Sequence, residues 1–108
     1  MLFPLPLQAK VDIPVYYSPR ALIANYDWNQ ETAYKIMMCE SSASTTIVNN
    51  NPLTGDYSVG LFQINIYQGL AKSRPSEEEL KKAEVNVAYA YKLYSSGGWN
   101  HWRNCLNT

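Results

Sequence analysis

AYKIMMCESS, residues 33–42, is the stretch from which the rest of the chain is best read. Residues three, four and seven apart share a helix face, so Ala33, Ile36, Met37 and Glu40 fall on one stripe. The apolar side of this helix therefore ends in a carboxylate where the pattern asks for another buried residue. Ser41 and Ser42 follow, and because their hydroxyls compete for backbone partners the helix is predicted to stop there. Upstream, Asp27 is the expected cap, with Gln30 three residues later in a box-like arrangement.

Working outward, Ser18-Pro19 reads as an N-cap followed by proline at the first helical position, opening a short helix that ends near residues 25–27. From Ala43 to Asp56 the composition turns to Ser, Thr and Asn, and NNNPLTGDYS (49–58) is rich in turn formers, which predicts a loop or a short hairpin. SVGLFQIN (58–65) suits a buried strand or a glycine-led helix start, and periodicity does not decide over so short a run. RPSEEELKK (74–82) opens the clearest helix, with Ser76 as N-cap and Glu79 as its capping-box partner. Leu80, Ala83, Val87, Ala90, Tyr91 and Tyr94 give this helix one apolar face, and Gly97-Gly98 end it. The tail GWNHWRNC (98–105) brings two indoles and a cysteine back onto the body.

Composition bounds the possibilities. A chain of 108 residues with 46% hydrophobic content and 13% aromatics suits one domain over residues 1–108, here an extended arm (1–17) and a core (18–108). Nine basic and nine acidic side chains cancel, so bulk electrostatics call for neither a nucleic acid nor an anionic membrane. No run approaches the roughly 20 apolar residues of a membrane helix, and membrane insertion is not expected. MLFPLPLQA (1–9) is short, broken by Pro4 and Pro6, and lacks the basic flank of a secretory signal. If the native protein is exported, its signal is expected to have been removed or to lie on a longer parent chain. Two cysteines, Cys39 and Cys105, and a single histidine do not make a zinc site, and no metal is expected. Composition leaves two free thiols and a disulfide equally open. A bridge would contribute on the order of 4 kcal/mol in the chain-entropy account and imply an oxidising compartment.

The candidate chemistry starts at Glu40. A carboxyl held against apolar side chains loses hydration of its charged form, so it keeps its proton to higher pH and can serve as a general acid; the other reading is a frayed last turn pointing to solvent. Glycoside hydrolysis commonly uses two carboxylates, and Asp56 is the acid in the loop following the glutamate helix, although a turn residue beside Gly55 would look the same. Gln63 and Asn65 lie within an apolar run, where amides either satisfy loop backbone or line a cleft and read sugar hydroxyl and acetamido groups. Among Tyr57, Tyr67, Tyr91, Tyr94, Trp99 and Trp102, most are expected in the core and one or two against a ligand. His101 is read as a surface residue of the tail.

The motifs CES (39–41), GLFQIN (60–65), NVAYAYKLY (86–94) and GWNHWRNC (98–105) together resemble the lysozyme-like superfamily, particularly its lytic transglycosylase and goose-type lysozyme branch. The Cys-Glu-Ser start and Trp-x-x-Cys end are also similar to resuscitation-promoting-factor domains. The resemblance spans roughly Asp27 to Cys105. It implies that Glu40 is the catalytic acid, Ser41 its hydrogen-bonding neighbour, Gln63 part of the cleft floor and Asn86 a support from the facing helix. It further implies a disulfide between Cys39 and Cys105, no cofactor, and a substrate of beta-linked N-acetylmuramic acid and N-acetylglucosamine. Two positions depart: Ser58 stands where chicken-type lysozymes carry an aspartate, and Leu93 where many lytic transglycosylases carry a tyrosine.

The expectation is thus a mainly α, α+β lysozyme-like domain with a β-hairpin or irregular lobe at about residues 43–65, acting as a secreted or cell-wall-associated monomer on peptidoglycan glycan strands. Glu40 and Asp56 are its candidate catalytic residues, and Ser41, Ser58, Gln63, Asn65, Asn86 and Tyr91 its candidate substrate-binding residues. A non-catalytic glycan-binding module is the alternative.

Overall fold

The computed structural model describes residues 17–107, and the arm expected over residues 1–17 lies, but for Tyr17, outside them. Helix α1 (Pro19–Ile23) begins as its sequence asks: Pro19 is at the first position, and the Ser18 hydroxyl accepts from the Ala21 N–H at 3.1 Å. Helix α2 (Gln30–Ser41) is capped by Asn29, whose Oδ1 accepts from the Thr32 N–H at 2.9 Å, rather than by Asp27. The displacement has a physical cause. Residues 24–28 are used in turns that sink Trp28 into the core, where its indole N–H donates to Ile23 O at 2.9 Å, so the helix begins only after it. At the other end Ser42 is left-handed (φ 54°) and its N–H closes on Met38 O.

The Ser/Thr/Asn stretch folds as a hairpin with a third short strand. Strands β1 (Val48–Asn51), β2 (Asp56–Val59) and β3 (Ile64–Asn65) form an antiparallel sheet in that order. SVGLFQIN is thus two strand pieces around a tight turn rather than a helix start. Gly60 makes that turn possible: its φ is +76°, and a Cβ there would lie 2.5 Å from Asn86 Nδ2 and 2.7 Å from Leu80 O.

The capping box forms as read, with Ser76 and Glu79 bonded reciprocally, yet the long helix expected after it is two helices, α3 (Glu77–Leu80) and α4 (Ala83–Gly97). The Leu80 carbonyl accepts from the Asn86 side chain at 2.9 Å, and Lys82 takes an extended conformation (ψ 126°). The tertiary bond to Asn86 has displaced the helical ladder at this point. Gly98 ends α4 with φ +62°, and a 3-10 turn (Gly98–Trp102) leads to α5 (Arg103–Leu106).

The core joins the two halves. Ile36 and Met37 of α2, Val59 of β2, Leu61 and Phe62 of the turn, and Leu80 and Val87 of the helical pair are all fully buried. Trp102 locks the tail onto this core by donating its indole N–H to Phe62 O at 2.9 Å. Cys39 and Cys105 form a disulfide tying α2 to α5, which chooses the bridge over two free thiols. Fold and disulfide together leave the end of α2 and the outer face of the sheet on either side of a cleft.

Candidate active site

The sheet supplies one wall of the cleft through β1, β2 and β3. On β2, Asp56 and Ser58 are two apart and share a face; register pairs Asn51 with Asp56, and Asn49 with Ser58, which on its other side pairs with Asn65. These five side chains all line a cavity of about 770 Å3. Glu40, on the last turn of α2, lines it as well, as do Gln63, Arg74 and His101.

Glu40 is half-buried, and burial holds its carboxyl above the usual carboxylate range, with the negative charge of Asp56 adding to the effect. Its Oε2 lies 3.4 Å from Cys105 Sγ. A disulfide sulfur carries no proton, so this contact is a hydrogen bond only when Glu40 is protonated and donates, which again favours the neutral acid. Asp56 is held differently, by a 2.6 Å bond from the Thr54 hydroxyl and a 3.3 Å bond from Asn65 Nδ2, both to its carboxylate oxygens. One acid is poised to hold a proton and the other is supplied with donors suited to a carboxylate.

The remaining candidates from the sequence divide. Gln63, left-handed at φ 50°, donates to Gly60 O at 3.1 Å and accepts from Asn49 Nδ2 at 2.7 Å, so it braces the turn while facing the cleft. Asn65 accepts from the N–H groups of Tyr57 and Tyr67, and donates to Gly55 O and Asp56. Both its donors and both its acceptor positions are used within the protein, while the residue also lines the cavity. Three of the residues expected to bind substrate are not among those lining the cleft. Ser41 is buried and donates to Leu61 O at 2.8 Å. Asn86, fully buried, bonds Val59 O, Leu80 O and the Phe62 N–H. Tyr91 stacks on Tyr26 with ring centroids 4.8 Å apart, in a cluster with Trp28 and Tyr94.

Sequence reasoning missed Asn49, Asn50, Asn51 and Arg74, and took His101 for a surface residue of the tail. The asparagines carried a signal, the polar run 49–51 paired with 56–58, which becomes visible once NNNPLTG is taken as a hairpin. Arg74 and His101 carried none, since the 3-10 turns that bring them to the cleft have no periodicity. Burial, and then the Arg74 charge, push the His101 imidazole below its ordinary pKa, so it is neutral near pH 7. Among the described residues no group of three or more His, Cys, Asp or Glu side chains is arranged to hold a metal ion.

A mainly helical body with a three-stranded lobe and an acid at the cleft edge agrees with the comparison to protein families. Residues 24–104 match the lysozyme-like domain, and the chain belongs to that family. No curated protein and no solved structure matches it.

Proposed function

We propose that this protein cleaves the glycan strand of peptidoglycan between N-acetylmuramic acid and N-acetylglucosamine, with Glu40 as general acid. Membership of the lysozyme-like family supports glycan cleavage as the class of reaction. The observation that carries the specific reading is the half-buried Glu40 carboxyl at the cleft, held above the usual carboxylate range by burial and by Asp56.

In this reading protonated Glu40 gives its proton to the glycosidic oxygen as the bond to the anomeric carbon breaks, and the leaving sugar departs as an alcohol. Positive charge then develops on the ring, and the Asp56 side chain on the sheet side of the cleft faces it. A nucleophile closes the reaction by adding to the anomeric carbon and giving its proton to the Glu40 carboxylate, which restores the acid. Water steered by Asp56 leaves a reducing end; the muramic 6-hydroxyl leaves a 1,6-anhydro end. By the family resemblance Ser58 stands where chicken-type lysozymes carry an aspartate, so a covalent intermediate on that position is not part of the proposal. No helix among the described residues is long and apolar enough to cross a membrane, and the disulfide suits an oxidising setting, so the reading includes action outside the cell at the wall.

Release of soluble fragments from dye-labelled peptidoglycan, measured beside co-sedimentation with unlabelled peptidoglycan, separates enzyme from binding module. The enzyme reading expects Glu40→Gln to abolish release and keep co-sedimentation. Co-sedimentation by both proteins with release by neither would establish the module instead.

A further inference from the structure

Arg74 lines the cleft half-buried, yet among the described residues no carboxylate pairs with it; the ion pairs there are Arg20 with Glu31 and Lys81 with Glu77. One of its five N–H donors is used, by Nη1 to the Asn65 carbonyl at 2.9 Å, and the guanidinium stands 5.7 Å from the centre of the Tyr89 ring. The other donors of this planar fork belong to a side chain that lines the cleft, so an anionic group of a ligand seated there can take them. Position narrows what that is. Asn65 accepts from Arg74 through its backbone and donates to Asp56 through its side chain, so the cation is joined to the candidate catalytic carboxylate through a single residue. Beside it in the cleft, His101 is neutral near pH 7 and adds a polar ring without a second charge.

We propose that Arg74 forms an anion-recognising subsite of the cleft, which takes a carboxylate carried on the muramic acid residue next to the bond to be cut. The inference rests on the peptidoglycan reading above and deepens it, because a carboxylate is what separates muramic acid glycans from the otherwise similar, uncharged polymers of N-acetylglucosamine. The carboxylate is either the free lactyl acid of peptide-free glycan or an acid of the stem peptide. The planar fork of arginine, rather than a point charge, matches the two oxygens of either.

The test measures binding by the Glu40→Gln protein, so that it does not depend on catalysis. Its ligands are three soluble tetrasaccharides of alternating N-acetylglucosamine and N-acetylmuramic acid: one with free lactyl carboxylates, one with those groups capped as neutral methylamides, and one bearing stem peptides. Tighter binding of the first than of the second by about tenfold or more, reduced to parity by adding Arg74→Gln and only partly kept by Arg74→Lys, supports the lactyl source. Preference for the peptide-bearing ligand alone, with the same dependence on Arg74, supports the stem-peptide source. Equal binding of all three, loss of affinity for all three alike on Arg74→Gln, or no binding by folded protein overturns the proposal. If the carboxylate preference is found while wild-type protein cleaves nothing, the anion subsite stands and the catalytic reading falls.

Discussion

Replacing Asn86 with alanine is expected to remove much of the stability of this protein without touching any residue of the cleft. Its side chain is fully buried and makes three hydrogen bonds: it donates to Val59 O at 2.9 Å and to Leu80 O at 2.9 Å, and accepts from the Phe62 N–H at 2.8 Å. Truncation orphans the Leu80 carbonyl and the Phe62 amide in the core, while Val59 O keeps its ladder partner in the Val59–Ile64 pair. An orphaned buried group costs about 1–3 kcal/mol, and partial repair through the helix break at Leu80 reduces the sum for the two groups, so a loss of about 2–4 kcal/mol is expected. Against the roughly 5–15 kcal/mol of a typical domain this is severe. Urea denaturation at pH 7, followed by tryptophan fluorescence, reads the loss directly, since Trp102 is bonded to Phe62 O at the centre of this network. Asn86→Asp is the informative companion. Its carboxylate still accepts from Phe62 but faces two carbonyls, and only the protonated acid can donate to one of them, so the variant should recover stability as the pH is lowered towards 4. A loss below about 1 kcal/mol for Asn86→Ala, or an aspartate variant indifferent to pH, would refute the view that Asn86 ties the sheet to the helical break.

Three further outcomes follow from the same geometry. Glu40 is held above its ordinary pKa of 4.5, so its favourable contribution is complete below that value and is lost as the pH rises through the folded-state value; Glu40→Gln should therefore be the more stable protein at pH 7, by less than about 1 kcal/mol given its partial exposure, with the difference vanishing near pH 4 in thermal melts. Gly60→Ala should destabilise the protein by about 2 kcal/mol or more, since the new Cβ meets Asn86 and the Leu80 backbone at a positive φ, and a smaller loss by urea denaturation would contradict the close approach described. Reducing the Cys39–Cys105 bridge, which spans 66 residues, should lower stability by on the order of 4 kcal/mol, seen as a lower melting temperature with thiol reductant; an unchanged melt would show that the tail is held by Trp102 alone.

Much of this fold can be read from local chemistry. Ser18-Pro19 and the Ser76/Glu79 box start their helices as their side chains require, because capping is decided within four residues. What escaped the sequence was decided at a distance. Asn29 rather than Asp27 caps α2 because Trp28 has to reach the core first, and the helix breaks at Leu80 because Asn86 takes its carbonyl. The site shows the same division. The Ala33–Glu40 stripe brought an acid to the edge of the core, where burial now raises its pKa. Ser41 and Asn86 were expected at the site through the family resemblance and Tyr91 as a ring able to stack on a sugar; in the fold Ser41 and Asn86 bond buried backbone and Tyr91 stacks on Tyr26. Asn49, Asn51 and Arg74 reach the cleft through strand register and a 3-10 turn, and neither is encoded by an apolar period.

The account turns on Glu40 as the proton donor to a glycosidic oxygen. Mass spectrometry of the soluble products from purified peptidoglycan, comparing wild-type protein with Glu40→Gln, tests that claim most directly. The account predicts new glycan ends from the wild type, reducing if water is the nucleophile and 1,6-anhydro if the muramic hydroxyl is, and neither from the folded variant. The same new ends from both proteins, or none from folded wild type across several peptidoglycan types, would contradict it.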